Sequence, residues 1–240
     1  MQALASTVAA IEPRLLALDS RLKRTDEHLA VVDPFPNEHT VIGAPWEMTV
    51  KRAVDIVVSL VVLVLLAPLL LLVALAIRVT SPGPVLYRQT RVGAYGILFT
   101  LLKFRTMVDG AHEMLDQVTH LNSATGPLFK AAGDPRMTPV GNLLRRCFFD
   151  ELPQLVNVLL GEMSLVGPRP CLPAELAQMH QFRFDAPQGV TGPWQVNGHH
   201  ALTWEEQANV ELGYVRDWSL AADFAILLRT VSLVVRLRGI

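Results

Sequence analysis

The chain has 240 residues, enough for one domain of ordinary size with an extension. Its 21 basic and 22 acidic residues nearly cancel, so the charge favours neither a nucleic-acid-binding protein nor a supercharged surface. Hydrophobic residues make up 51% of the chain, and its mean hydropathy of +0.34 is high for a soluble globular protein, mostly because of one apolar segment. Cys147 and Cys171 have no metal-ligand spacing and cannot form a disulfide framework, so a reducing compartment is expected.

Residues 1–45 are predicted to be an extension and a linker that precede the main domain. Leucines and basic residues between Arg14 and Arg24 have the spacing of a short amphipathic helix, and a proline-rich stretch follows them. The extension contains no catalytic pattern. Two interpretations stay open for it, a peripheral contact with a membrane or a second subunit, and a poorly ordered tail.

Residues 56–77 read IVVSLVVLVLLAPLLLLVALAI, in which Ser59 is the only polar residue. About 20 apolar residues cross a bilayer as a helix, so one hypothesis is a single membrane span. Pro68 lies near the middle, where a proline removes a helical hydrogen bond and bends the axis. Basic residues flank both ends, namely Lys51, Arg52 and Arg78. Because basic residues favour the cytoplasmic side, the second hypothesis is a re-entrant helix over 46–80 that breaks at Pro68.

Residues 81–240 are predicted to form the folded domain. Alternating residues around Gly93 and Gly96 predict a β-hairpin. Helices are expected at 109–122, 141–146, 150–160, 173–184 and 203–217, with loops rich in glycine and proline between them. The apolar tail from Ala221 is interrupted by arginines, which indicates an amphipathic helix at a membrane interface rather than a span. The fold class is therefore α+β and mostly helical.

Two acids, Asp150 and Glu151, stand side by side in the stretch FFDELPQL. One interpretation is structural, because Asp is a favoured helix cap and Glu complements the helix dipole in the first turn. The other interpretation is chemical. Two carboxylates can hold a divalent cation together with phosphates, and a carboxylate can attack phosphorus. Taken alone, the pair favours the cap.

Basic residues around this pair shift the balance toward chemistry. They lie in short motifs beside prolines, glycines and apolar residues, and they include Lys103, Arg105, Arg145 and Arg169. Guanidinium forks fit phosphate oxygens, and a helix N-terminus adds its own preference for anions. The pattern predicts phosphoryl chemistry at a membrane surface without fixing the reaction.

Seven motifs then follow one another in a recognisable order: KRAVDIVVS, TSPGPVLYRQTRVG, KFRTM, GDPRMTPVG, LLRR, DELPQLVNVLLGEMSLVGPRP and GVTGPWQVNG. From about Lys51 to the C-terminus, this series resembles the bacterial sugar transferase family, the monotopic phosphoglycosyl transferases. The resemblance implies a membrane-associated monotopic fold with a proline-broken re-entrant helix and interfacial helices. It also implies a cytosolic catalytic domain over 81–240, at the cytoplasmic face of the bacterial inner membrane.

The resemblance further implies transfer of a sugar-1-phosphate from a UDP-sugar to undecaprenyl phosphate, with release of UMP and with Mg²⁺ as cofactor. Asp150 is implied to be the nucleophile that carries a covalent phosphosugar, and Glu151 completes the acid pair and its metal site. The implied substrate-binding residues are Lys103, Arg105, Arg145, Arg169 and Gln195. Such a reaction starts the synthesis of a surface polysaccharide or glycoconjugate. The expected partners are the donor, the lipid acceptor and membrane lipid, with no nucleic acid, and a homodimer is considered.

One stretch departs from the family pattern. Where relatives read R-P-G-[IV]-T-G, this chain has Pro187 and Gln188 before Gly189. A basic contact with substrate is therefore expected to be missing unless Arg183 supplies it. Two alternatives to the enzyme stay open: a membrane-anchored scaffold of the same fold without turnover, and a phosphotransferase that uses a non-sugar nucleotide donor.

Overall fold

The structure is a computed structural model that describes residues 42–111, 113–122, 131, 133–197 and 202–236. Most of the predicted extension over 1–45 therefore lies outside the described residues. The fold that the remaining ranges define is mixed helix and strand, with helix predominating, as the sequence predicts.

Helix α1 (Pro45–Thr80) contains the whole apolar segment. Pro45 stands in its first turn, where a missing N–H costs little, and the Ala44 N–H donates to the Glu47 carboxylate at 2.8 Å. The helix is 36 residues long and helical structure continues through Pro68. The backbone at Pro68 is therefore helical, and the structure has no non-helical segment at the predicted break. By length and composition, α1 could cross a membrane.

Residues on both sides of Pro68 pack against the same folded domain. Val58 packs on the core cluster that contains Val158, and Ile77 lies in a second cluster with Phe104. Between these contacts the helix exposes a series of large apolar side chains, among them Leu60, Val61, Val64, Leu65, Leu71 and Leu72. Such a continuous apolar surface is unfavourable in water and marks a contact with lipid or protein.

Strands β1 (Leu86–Val92) and β2 (Leu98–Phe104) form the predicted antiparallel hairpin. Its tight turn has left-handed backbone at Tyr95, with φ 54°, and at Gly96, with φ 72°. Glycine adopts that conformation without steric cost, which is why the turn signal was readable in the sequence. The pairing places Tyr87 opposite Lys103, so both side chains project from the same face of the hairpin.

Six further helices complete the described part of the chain: α2 (Leu115–Val118), α3 (Pro139–Arg146), α4 (Gln154–Leu160), α5 (Pro193–Val196), α6 (Trp204–Arg216) and α7 (Leu220–Val235). The helices predicted for α3, α6 and α7 are confirmed, whereas the membrane-interface position of α7 stays a prediction. The helix predicted over 150–160 begins only at Gln154. The predicted helix over 109–122 is shorter: Gly110 has left-handed backbone with φ 72°, α2 begins at Leu115, and a 3-10 turn, Thr119–Leu121, follows it. The region 173–184 holds two 3-10 turns, Pro173–Gln178 and Gln181–Phe184, separated by extended backbone.

A second, two-stranded sheet lies where the sequence predicted loops. Strand β3 (Ser164–Val166) pairs in parallel with β4 (Gly189–Thr191). The two backbones approach so closely at Gly167 and Gly189 that any side chain there would clash. A Cβ on Gly167 would lie 2.0 Å from the Pro187 carbonyl oxygen. These glycines permit close packing rather than mobility.

The main core lies where α1, α4, β3 and the last two helices meet. Its members include Leu155, Val158, Leu165, Val166, Tyr214 and Ile226. A buried polar network joins the same elements: Lys51 Nζ donates to Asp223 at 2.5 Å and to the Val166 carbonyl at 2.9 Å. The Tyr214 hydroxyl donates to Asp223 at 2.7 Å. Because buried polar groups are costly unless they are paired, this network fixes α1 to the domain in one arrangement.

Candidate active site

Asp150 and Glu151 lie in a 3-10 turn, Phe149–Glu151, between α3 and α4. Phe148 enters the turn with left-handed backbone, φ 58°, which is uncommon for a residue other than glycine and is often found at functional sites. The residue that caps α4 is Pro153, and no side chain caps the start of that helix. The structural interpretation, in which Asp150 is the helix cap, therefore does not describe this turn.

The two carboxyl groups occupy different surroundings. Asp150 is buried, with 6% of its surface exposed, and Glu151 is half-buried. Burial raises the pKa of Asp150, whereas the nearby charges of Lys103 and Arg145 lower it. Burial and then the Asp150 charge raise the pKa of Glu151 to about 7. The pair is thus set up so that Glu151 titrates near neutral pH.

Lys103 reaches the pair from the end of β2. Its Nζ lies 5.1 Å from the centre of the Tyr87 ring, a favourable position for a cation over an aromatic face. Burial and then Arg145 lower the pKa of Lys103 to about 8, and Asp150 opposes that shift. The ammonium is therefore still charged at neutral pH, and it lies close enough to the acids for their charges to affect one another.

Arg145 reaches the pair from the last turn of α3. Its Nε donates to the Thr106 hydroxyl at 3.2 Å, which connects α3 to the chain that leaves β2. The charge of Arg145 lowers the pKa of both Asp150 and Glu151. A half-buried guanidinium so placed can stabilise the ionised acids and attract a phosphate.

Arg169 approaches from the loop after β3, and its charge lowers the pKa of Glu151. The backbone of this loop is held on several sides. The Gly189 N–H donates to the Pro168 carbonyl at 2.8 Å, and Arg91 Nη1 donates to the Pro170 carbonyl at 3.0 Å. The loop therefore presents the Arg169 side chain from a fixed backbone. The structure thus brings Lys103, Arg145 and Arg169 together around the two acids, as predicted.

Arg105 does not join this group. It is buried, and its guanidinium donates to the carbonyls of Pro82 at 2.5 Å and Ser81 at 2.8 Å, just after α1. These bonds make Arg105 a clamp between the end of β2 and the chain that leaves α1, and its predicted contact with substrate stays a prediction. Gln195 lies in α5 beside Gly192. Its buried Oε1 has no hydrogen-bond partner within the described ranges, and no contact joins it to the acid pair there.

The departure at Pro187 and Gln188 is accommodated by the fold. Gln188 is fully buried, and its amide donates to the carbonyls of Arg183 at 2.6 Å and Ala186 at 3.0 Å. The Arg183 guanidinium is directed to Glu211 and to the Arg169 carbonyl. Arg183 thus acts on the loop that holds Arg169, and it is not a direct member of the cluster around the acids.

Glu211 is a residue that sequence reasoning missed. It is fully buried on the inner face of α6, where it accepts hydrogen bonds from Arg183 and from the Arg169 N–H. The sequence signal was an acid on the face of α6 that also carries Ala208 and Tyr214, since residues three apart share a helix face. An acid on an apolar helix face predicts a buried partner.

Asp150 and Glu151 supply part of the ligand set that Mg²⁺ needs, and a substrate phosphate would have to supply more. Within the described residues no three His, Cys, Asp or Glu side chains are grouped as a metal site. Asp150 and Glu151 supply two carboxylates, and Mg²⁺ is commonly bound by one or two carboxylates with phosphate oxygens and waters. The raised pKa of Glu151, caused in part by Asp150, shows a repulsion that a divalent cation would relieve. The donor set therefore fits Mg²⁺ bound with a phosphate.

Comparison with known proteins shows the family to which the chain is similar. The family model described as bacterial sugar transferase matches residues 46–237. The exopolysaccharide production protein ExoY of Rhizobium meliloti is 36% identical over 212 residues, which are 85% of this chain and 94% of that protein. The UDP-glucose:undecaprenyl-phosphate glucose-1-phosphate transferase of Caulobacter vibrioides is 42% identical over 193 residues, or 75% of this chain and 68% of that protein.

A third relative is the undecaprenyl-phosphate galactose phosphotransferase of Salmonella typhimurium. It is 39% identical over 201 residues, which are 79% of this chain but 41% of that longer protein. The match to the family model covers most of the chain, and the ExoY relative is matched over nearly its whole length. The chain therefore belongs to the bacterial sugar transferase family.

Proposed function

We propose that this protein transfers a sugar-1-phosphate from a UDP-sugar to undecaprenyl phosphate and releases UMP. One observation carries the proposal: the adjacent acids Asp150 and Glu151 are surrounded by the cations of Lys103, Arg145 and Arg169. Three cations suit a diphosphate, and the buried carboxylate among them suits an attack on phosphorus. The names of the Caulobacter and Salmonella relatives describe transfer of a sugar phosphate to undecaprenyl phosphate, which supports this reaction.

In the first half-reaction, a carboxylate oxygen of Asp150 attacks the β-phosphorus of the donor. A bond forms between that oxygen and phosphorus, and the bond from phosphorus to the bridging oxygen of UMP breaks. UMP leaves with the electron pair. Lys103 and Arg145 favour the ionised form of Asp150, which is the nucleophilic form, and they neutralise charge on the phosphates.

In the second half-reaction, a phosphate oxygen of undecaprenyl phosphate attacks the phosphorus that Asp150 carries. The bond to the Asp150 oxygen breaks, which returns the carboxylate and leaves a lipid-linked diphosphosugar. Glu151, whose pKa is about 7, can accept a proton from the lipid phosphate at neutral pH. Donor and acceptor can use the same cations in turn because they need not be bound together.

Asp150 and Glu151 would hold Mg²⁺ against the donor diphosphate. When bound, the ion would neutralise part of the negative charge on the phosphates. Side chains of the protein do the rest. Arg145 and Arg169 orient the phosphates, and the positive charge of Lys103 stabilises the ionised form of Asp150.

A lipid acceptor requires the site to lie at a membrane boundary, and we assign that boundary to the cytoplasmic face of the inner membrane. Parts of α1 on either side of Pro68 pack on the same domain, which favours a re-entrant helix over a span. An apolar stripe on α7 supports the same placement. It consists of four exposed residues, each about one helical turn from the next: Phe224, Leu228, Val231 and Val235.

UMP release in detergent tests this function. The purified chain is incubated with Mg²⁺, undecaprenyl phosphate and either UDP-glucose or UDP-galactose, and Asp150→Asn is the control. We expect UMP from at least one donor with the unaltered chain and none above background with Asp150→Asn. Folded protein that releases no UMP from a broad panel of UDP-sugars would contradict the proposal and favour a scaffold without turnover.

A further inference from the structure

We propose that Arg183 and Glu211 are positioning residues that hold the Arg169 peptide, so that the Arg169 guanidinium faces the acid pair. The inference rests on the proposed function, because it assigns Arg169 to the donor phosphates. Neither Arg183 nor Glu211 reaches the reacting atoms in this arrangement. Both act through the backbone of one loop residue.

The two side chains bind both polar groups of the Arg169 backbone. Glu211 Oε1 accepts a hydrogen bond from the Arg169 N–H at 3.2 Å, and Arg183 Nη2 donates to the Arg169 carbonyl at 2.8 Å. Arg183 Nη1 and Glu211 Oε2 form a direct ion pair. The result is a closed ring of hydrogen bonds around the backbone of a single residue, Arg169.

The ring is built on rigid parts of the fold. Glu211 lies within α6, which begins at a capping box formed by Thr203 and Glu206. The Arg183 carbonyl accepts from the buried Gln188 amide at 2.6 Å, and the Arg183 guanidinium lies 5.9 Å from the centre of the Trp204 ring. These contacts fix the pair, so the orientation of the Arg169 peptide follows from the orientation of α6.

A stabilising role alone does not explain why this position holds charges. Arg183 and Glu211 are 4% and 0% exposed, and two buried charges pay a desolvation cost that an apolar pair would avoid. An apolar pair could fill the space, but it could not bind an N–H and a carbonyl at once. The charged pair therefore fixes the orientation of the Arg169 backbone. Catalysis is sensitive to small misplacements of the groups that bind substrate.

A double-mutant cycle with Arg169 separates positioning from general stabilisation. The variants are Arg183→Met, Arg169→Ala and the double variant. Arg216→Met is the control, because it removes an exposed ion pair with Asp217. The measurements are kcat and KM for the UDP-sugar that is turned over, the calorimetric Kd for UDP, and the melting temperature. The Kd for UDP does not depend on turnover, so the cycle can be completed even if the proposed reaction fails.

We expect Arg183→Met to raise KM and the Kd for UDP by about tenfold or more. In the Arg169→Ala background the same change is expected to have little further effect, since the group that Arg183 positions is already gone. Equal losses in both backgrounds would overturn the inference and leave a purely structural pair. A loss confined to kcat, with unchanged affinity for UDP, would also overturn it.

Arg183→Lys provides a second cycle if Arg183→Met does not fold. Lysine keeps the charge opposite Glu211 but lacks the fork that reaches two acceptors in fixed directions. We therefore expect a melting temperature close to that of the unaltered chain and an intermediate loss of affinity for UDP that again depends on Arg169. Full affinity in Arg183→Lys would contradict the proposed role of the fork.

Discussion

Arg52 of α1 binds the last turn of α4: its Nη1 lies 2.5 Å from the Val158 carbonyl oxygen and its Nη2 lies 2.9 Å from that of Leu159. Carbonyls at the end of a helix lack partners within the helix. Arg52 supplies a partner for the Leu159 carbonyl, and at Val158 it adds to a hydrogen bond from the Gly161 N–H at 3.0 Å. At its other end, α4 begins at Gln154, three residues after Glu151. Through Arg52, α1 is thereby attached to the helix that follows the turn with the acid pair.

We expect Arg52→Gln to destabilise the chain and to lower its activity. Loss of two hydrogen bonds to a charged donor should reduce the free energy of unfolding by about 1–3 kcal/mol. The measurement is thermal unfolding in detergent, with Arg78→Gln as the control because Arg78 is an exposed residue of the same helix. Equal melting temperatures for the two variants would contradict a fixing role for Arg52.

The pH dependence of kcat/KM for the donor should be bell-shaped. Glu151, with a pKa of about 7 in the metal-free site, must lose its proton before Mg²⁺ binds beside Asp150, so at limiting Mg²⁺ the rate should fall as the pH drops below about 7. Lys103, with a pKa of about 8, must be protonated to attract phosphate, so the rate should fall again above about 8. The two groups interact, and the limbs therefore report the pair as a whole.

Two variants assign the limbs of this profile. Glu151→Gln removes the ionisation and should flatten the acid limb of the residual activity. Lys103→Arg keeps a charge at all working pH values and should move the alkaline limb upward. An acid limb unchanged in Glu151→Gln would show that another group controls it.

The apolar stripe of α7 should lie in lipid. We expect a polarity-sensitive fluorophore on Phe224→Cys, in lipid nanodiscs, to be quenched by spin-labelled lipid. The control is Arg229→Cys, which lies five residues along and therefore about 140° around the helix. The same fluorophore on Arg229→Cys should be quenched far less. Equal quenching at the two positions would argue against a helix lying on the interface.

The two ends of α1 should lie on the same side of the membrane. Trp46→Cys and Val79→Cys place exposed thiols near the two ends of α1. In sealed inside-out vesicles both should react with an impermeant maleimide, whereas Pro68→Leu should straighten the helix and protect one of them. Protection of one end in the unaltered helix would establish a span and contradict the re-entrant topology.

The sequence was informative where a local pattern has one structural outcome. Alternation around Gly93 and Gly96 predicted the hairpin, and apolar length predicted α1. The parallel pairing of β3 with β4 was missed because three-residue strands are too short to show a period. Glycines in these stretches predict loops, but the structure shows that Gly167 permits two backbones to approach closely.

The sequence predicted the charged residues near the acid pair but not the residues that hold them in place. Lys103, Arg145 and Arg169 surround the acids as expected, whereas Arg105 is used to hold the end of α1. Nothing local in the sequence distinguishes a guanidinium that faces carbonyls from one that faces a cleft. Glu211 and Arg183 are 28 residues apart in the chain, so only the tertiary fold brings them together.

Detection of a phosphosugar on Asp150 is the most direct test of the proposed chemistry. The chain is incubated with Mg²⁺ and the UDP-sugar that yields UMP, without lipid acceptor, and is quenched in acid for intact-mass and peptide mass spectrometry. We expect an added mass of one hexose phosphate on the peptide that contains Asp150, lost when undecaprenyl phosphate is supplied and absent in Asp150→Asn. UMP release that requires the lipid acceptor, with no adduct on any residue, would contradict a covalent role for Asp150 and indicate direct transfer.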